Sequence, residues 1–181
     1  GNNTYSGTTT INKATAAITN QNNIGNGDLI LSNGTLTTDA ETSLNNNIRI
    51  TGTGQFTNPT NNLTLTGSIS GDQLVKAGNG ILFLTKQNFH NSTALIAGTI
   101  QCNDPVQLGS GDFDFPLNNT GTLLLTRTMS INTTFSVNGT GIINTTAGTN
   151  ITLAKAVNYA KNLKKIGGGT LTLGVSGTGS G

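Results

Sequence analysis

Leu74-Val75-Lys76-Ala77-Gly78-Asn79-Gly80-Ile81-Leu82-Phe83-Leu84 returns near the end of the chain as Leu163-Lys164-Lys165-Ile166-Gly167-Gly168-Gly169-Thr170-Leu171-Thr172-Leu173. Apolar and polar residues alternate on either side of a glycine-bearing corner, and the same order returns. Other pieces follow suit. Phe89 matches Tyr5, Leu95 matches Ile11, and Leu108-Gly109-Ser110-Gly111-Asp112 matches Ile24-Gly25-Asn26-Gly27-Asp28. Gly52-Thr53-Gly54 matches Gly139-Thr140-Gly141, and Leu63-Thr64-Leu65 matches Ile151-Thr152-Leu153. The spacing is roughly 84–89 residues, and self-similarity at a fixed long period is the signature of a repeat architecture. Copies near 1–28, 74–112 and 163–181 place residues 1–181 in a single repetitive domain. Since the repeat is entered and left part-way through a unit, the expectation is a segment of a larger protein.

A finer beat runs inside the long one. Gly-Thr-Leu, Gly-Asp-Leu and Asn-Gly-Thr open short apolar runs roughly every 20–24 residues, about four times per long unit. Leu29-Ile30-Leu31, Ile48-Arg49-Ile50, Leu63-Thr64-Leu65, Ile81-Leu82-Phe83-Leu84 and Leu123-Leu124-Leu125 read as short strands bounded by Gly and Asn. Thr suits their outward positions because its β-branch stiffens the side chain in a pleated surface. The one helix-like run, 154–161, is short and aligns with a polar segment, so it reads as a loop excursion. Asn33-Gly34 and Asn138-Gly139 could turn a hairpin, but neither lies between strands of matched length. Strands without helical crossovers, at this beat, predict an all-β fold: a right-handed parallel β-helix, or β-solenoid, of about eight to nine coils, with neighbouring strands about 4.8 Å apart.

Thr, Asn and Gly make up nearly half of the chain, charged residues 9% and aromatics 4%. The net charge is +2, and the longest basic cluster is Lys164-Lys165. A nucleic-acid partner would need a basic stripe, so that class is excluded. A single cysteine, Cys102, rules out an intrachain disulfide and reads as a small buried apolar residue.

The residues Leu74–Leu84, then Asn88-Phe89, the Ala94–Thr99 run and Leu108-Gly109-Ser110-Gly111 resemble the passenger-associated repeat of bacterial autotransporters. Its pattern is Leu-x-Lys-x-Gly-x-Gly-Thr-Leu-x-Leu, then Asn-Thr-Tyr-x-Gly-x-Thr, then Ala-Gly-Thr-Leu. Asn3-Thr4-Tyr5-Ser6-Gly7-Thr8-Thr9-Thr10-Ile11 and Leu163–Leu173 resemble further partial copies. Phe89 stands where Tyr is usual, Ile81 where Thr is usual, and Lys13-Ala14-Thr15 where Ala-Gly-Thr is usual. The resemblance implies a β-helical passenger on the cell surface of a Gram-negative bacterium. Its implied partner is its own C-terminal outer-membrane β-barrel, and its implied task is secretion and folding rather than catalysis.

The only histidine, His90, reads as an exposed loop residue, and Ser92 nearby lacks an orienting third partner. Asp112 and Asp114 share one face of a strand, but the aligned copy offers Asp28 and Ile30, so the pair is not a repeated site. Gly109-Ser110-Gly111-Asp112 lacks the tandem iteration of a calcium nonapeptide. Gly167-Gly168-Gly169 lacks the Lys-Ser/Thr of a phosphate loop. The chain is therefore expected to be a non-enzymatic stalk or scaffold with no catalytic residue, cofactor or metal ligand. Two alternatives stand beside it. One is an adhesin contacting a host-cell surface, with Tyr5, Tyr159 and Phe56 as loose aromatic candidates. The other is head-to-tail assembly with copies of itself, joining 174–181 to 1–4. The recurring glycines, Lys76 and Lys164, and the Leu-x-Leu runs are read as corners and core.

Overall fold

In a computed structural model, which describes residues 1–159 and 161–174, the chain forms a parallel β-solenoid of about 8 turns. The coils, in chain order, are β1 (Thr9–Asn12) with β2 (Thr15–Ile18); β3 (Leu29–Thr38) with β4 (Thr42–Leu44); β5 (Ile48–Thr57) with β6 (Leu63–Leu65); and β7 (Ile69–Ala77) with β8 (Ile81–Leu84). Then come β9 (Phe89–Leu95) with β10 (Ala97–Cys102); β11 (Asp112–Phe115), β12 (Thr120–Leu125) and β13 (Met129–Ile131); β14 (Phe135–Val137), β15 (Thr140–Thr145) and β16 (Asn150–Leu153); and β17 (Val157–Tyr159), β18 (Asn162–Ile166) and β19 (Thr170–Leu173). Two short 3₁₀ turns, Gln21–Asn23 and Pro105–Leu108, interrupt them.

Every pairing is parallel, between a strand and its equivalent one coil away. The first sheet runs β1-β3-β5-β7-β9-β11-β14-β17, with β2 beside β3; the second runs β4-β6-β8-β10-β12-β15-β18; the third is β13-β16-β19. No hairpin forms at Asn33-Gly34. Asn33 takes a left-handed conformation (φ 48°) at a register shift inside β3, where the strand rounds a corner.

Period-two alternation sends every second residue inward, and parallel register stacks it on its equivalent. One inward column is Leu63, Leu82, Ile100, Leu123, Ile143 and Lys165. Another is Leu74, Thr93, Phe113, Phe135 and Val157. In the latter, Phe113 and Phe135 stack with ring centroids 5.2 Å apart. A third is Leu36, Phe56, Lys76 and Leu95, in which all four residues are fully buried. The lean apolar content suffices because most Leu, Ile and Phe residues are buried in the interior.

The run 154–161 is a loop excursion only in part: residues 154–156 lie outside any strand, but Val157–Tyr159 is strand β17, laid in register on β14. Helix propensity in so short a run is outweighed by the ladder that the neighbouring coil offers.

The long sequence period and the coil are incommensurate. Thr10, Ile30, Arg49, Ser70 and Phe89 share a column, so four coils carry Thr10 to Phe89. The aligned motif has by then moved from Thr9 to Thr93. In the same way four coils carry Leu74 to Val157, while its motif has moved on to Leu163 in the second sheet. Each long unit is four coils plus one step around the perimeter, so the same motif builds different corners of the solenoid.

Candidate functional site

Two corners hold the buried basic side chains, His90 and Lys76. The first surrounds His90. The structure overturns the expectation of an exposed loop histidine: Phe89 faces outward and His90, next along β9, faces inward and is fully buried. Its Nε2 lies 2.7 Å from Thr93 Oγ1, and Thr93 Oγ1 donates to the Leu108 carbonyl at 3.2 Å. The Thr93 proton is thereby committed, so His90 Nε2 carries the proton of the ring and donates to Thr93. Nδ1 is then a buried acceptor without a partner. Burial holds the imidazole pKa down to about 4, because no group compensates a desolvated imidazolium.

The same corner is built in the first copy with a different ring. Tyr5 Oη lies 2.6 Å from Thr9 Oγ1, and Thr9 donates to the Ile24 carbonyl at 2.8 Å. Gly25 stands over the Tyr5 ring and Gly109 over the His90 ring, both at positive φ (67° and 86°), and a Cβ on either would sit 2.7 Å from the ring beneath. A capped 3₁₀ turn precedes each glycine, with Asn23 and Gln107 side chains returning to their N-cap backbones. The matched stretches 24–28 and 108–112 are therefore a true structural repeat. The aromatic counterpart of Tyr5 is His90, one place beyond the aligned Phe89.

The second corner surrounds Lys76. Its Nζ donates to the carbonyls of Ala77 and Gly78, both at 2.6 Å, and of Ala97 one coil away at 3.3 Å. Gly78 takes φ 74°, which turns its carbonyl inward; a side chain on Gly98 would come within 2.9 Å of the ammonium. Among the described residues no acidic partner is present, and desolvation lowers the Lys76 pKa to about 8. The counterpart in the last coil is Lys165 rather than Lys164. Lys165 lies in an inward column and donates to Ile166 O at 2.9 Å and Gly167 O at 2.8 Å, whereas Lys164 points outward and is exposed. One residue of register decides which lysine enters the corner.

The remaining candidates do not converge. Asp112 and Asp114 both project from β11 beside the buried Phe113. Asp114 accepts from Asn138 Nδ2 at 3.0 Å, and partial burial raises its pKa against that hydrogen bond. Ser92 does not join His90: His90 is buried beside Thr93, whereas Ser92 is only partly buried and lies in register with Gln73 and Asp112. Cys102 is buried, with its thiol pushed up to about 12 by desolvation and by Asp104. Phe56 is fully buried and offers no aromatic surface, Tyr5 is exposed, and the Tyr159 side chain lies outside the described residues. Among the described residues no group of three or more His, Cys, Asp or Glu is placed to hold a metal ion.

Comparison with known proteins adds no relative. No family model, curated protein or solved structure matches the chain. The buried polar side chains bind their own backbone: Asn46 reaches the carbonyls of Gly25 and Gly27, Asn58 those of Asn61 and Ile81, and Asn88 that of Gln107. The sequence signalled these asparagines only as corner residues. Their inward direction follows from coil register, which a sequence read strand by strand does not supply.

Proposed function

We propose that the chain is a non-catalytic structural stalk segment of a secreted bacterial surface protein of the autotransporter type. It is carried outward by a C-terminal outer-membrane barrel and assists its own export by folding coil upon coil. The observation that supports this best is the use made of the buried polar groups. Lys76, His90, Asn46, Asn58 and Asn88 point at backbone carbonyls or neighbouring hydroxyls of the solenoid, not into an open cleft. Such a rod gains stability with each coil laid on its neighbour, as solenoids do. The resemblance of Leu74–Leu84 and its copies to the passenger-associated repeat supplies the surface setting. The test is display of the chain between a secretion leader and an outer-membrane barrel, with Phe113→Asp as the variant that breaks the core. Loss of surface display with Phe113→Asp is expected. Equal display of both chains would overturn the proposal.

A second reading, adhesion, draws on the outward face of the second sheet. Ile81, Phe83, Leu124 and Ile142 lie there half-buried among Thr99 and Thr122, a flat uncharged surface interrupted only by Lys164. Binding of the purified chain to host cells, lost on Ile142→Lys with Leu124→Lys, would favour it; binding unchanged by that pair would reject this face.

A further inference from the structure

The two 3₁₀ turns are copies of one motif, and the next coil roofs each of them. Gln21 in the first turn corresponds to Pro105 in the second, each directly after its N-cap, Asn20 or Asp104. Leu29 is in register with Ile48 and Phe113 with Phe135, so Asn45-Asn46 above the first turn correspond to Asn132-Thr133 above the second. At the first corner a carboxamide joins turn to roof. Gln21 Oε1 accepts from the Asn45 N–H at 2.9 Å, and Nε2 donates to the Gly25 carbonyl at 3.0 Å and to Asn46 Oδ1 at 2.9 Å. Asn46 Nδ2 adds donations to the carbonyls of Gly25 and Gly27.

The second corner lacks both side chains. Pro105 carries no carboxamide, and Thr133 is shorter than Asn46 and has no amide. A cleft of about 220 Å³ lies between turn and roof, with Pro105, Val106 and Gly109 on one side and Ser130, Asn132 and Thr133 on the other. The Ile131 carbonyl accepts from Ala154 N in the coil above, as the Leu44 carbonyl accepts from Thr66 N. Asn132, like Asn45, therefore turns its N–H down toward the turn. Among the described residues neither the Asn132 N–H nor the Gly109 carbonyl has a hydrogen-bond partner. The same holds for the hydroxyl of Thr133, which lines the cleft and is only 7% exposed. Polar groups so enclosed favour any ligand that pairs with them.

We infer that this cleft binds an acetamido sugar, whose amide takes the place that the Gln21 carboxamide fills at the first corner. The amide oxygen accepts from the Asn132 N–H, and the amide N–H donates to the Gly109 carbonyl. Gln21 spends its second N–H on Asn46; with Thr133 at that place, a secondary amide with a single N–H suffices. Pro105 and the exposed Val106 give the acetyl methyl an apolar wall. Ser130 and the Asn132 side chain, both exposed, face the sugar hydroxyls. Every lining side chain is uncharged, which matches a neutral ligand. The volume lies below the range of about 300–1,000 Å³ that suits larger ligands, and fits a single ring. The site concerns one corner of the rod and does not rest on the surface-stalk reading.

Two-dimensional NMR of the isotope-labelled chain tests it, with N-acetylglucosamine, glucose and propionamide added in turn. N-acetylglucosamine is expected to shift the Asn132 and Ser110 amides saturably. Propionamide should shift the same amides more weakly, and glucose, which has no amide, should leave them in place. The double variant Pro105→Gln with Thr133→Asn rebuilds the first corner and fills the cleft from within. It is expected to melt no earlier than wild type and to bind N-acetylglucosamine about tenfold more weakly or worse. The comparison of the three probes on the wild-type chain stands whether or not that variant folds. No saturable shift with N-acetylglucosamine would overturn the inference, as would an equal response to glucose or undiminished binding by the folded double variant. A response to propionamide without one to the sugar would also overturn it, and would assign the cleft to a peptide carboxamide instead.

Discussion

Tyr5 and His90 perform one task at two corners: each places a ring beneath a left-handed glycine and donates a hydrogen bond to a threonine that in turn donates to the carbonyl before that glycine. The difference is that Tyr5 is exposed at 44% while His90 is buried with Nδ1 unpartnered. Only the second corner is therefore sensitive to acid. The folded-state pKa of His90 is lowered to about 4 from 6.5. The unfolded chain thus binds the proton first, and stability present above pH 6.5 is lost as pH falls toward 4. The loss attributable to this group is up to about 3 kcal/mol. Equilibrium unfolding followed against pH, for wild type and His90→Phe, should show the extra slope in wild type only; parallel curves would show that His90 titrates normally.

Lys76 gives the opposite end of the pH scale. Its folded-state pKa is lowered to about 8 from 10.5, so the unfolded state again holds more protons in between, and stability rises as pH increases from 8 to 10.5. Lys76→Met would leave three buried carbonyls without their donor, a cost of about 2 kcal/mol at neutral pH after the relief of desolvation. The gap between wild type and the variant should widen above pH 8. A constant gap in urea titrations at pH 7 and pH 10 would contradict the assigned shift.

The two glycines Gly109 and Gly148 separate backbone strain from steric clash. Both have positive φ, 86° and 77°, but only at Gly109 would a Cβ meet neighbours, His90 Nε2 and O at 2.7 Å; at Gly148 nothing lies within 4 Å. Gly148→Ala should cost about 1 kcal/mol, the left-handed penalty alone. Gly109→Ala adds overpacking and should cost about 3 kcal/mol. Thermal melts of the two single variants give the comparison, and similar losses at both sites would show that the His90 corner relaxes.

Cys102 reports on opening of the coil. Its thiol is buried and pushed up to about 12, so the thiolate needed for attack is scarce at pH 8. A disulfide reagent should label it slowly in the native chain and at once in denaturant. Rapid labelling without denaturant would mean that β10 and the following turn open readily.

The sequence by itself determined the class of fold. Alternating Leu-x-Leu runs, glycine corners and a fine beat of about twenty residues specify stacked coils because strand side chains alternate and parallel register superposes equals on equals. The copies at 24–28 and 108–112 match in sequence because the corner needs the same capped turn and the same left-handed glycine each time.

Tertiary structure alone decided direction and face. Whether His90 or Phe89 enters the core, whether Lys164 or Lys165 fills a corner, and whether Phe56 offers a surface depend on register, where one residue exchanges inside for outside. The strand at 157–159 exists because β14 offers it a ladder, not because Val157-Asn158-Tyr159 asks for one. The step of each long unit onto a new face arises from a mismatch between two periods. It shows only when the coils are counted in space.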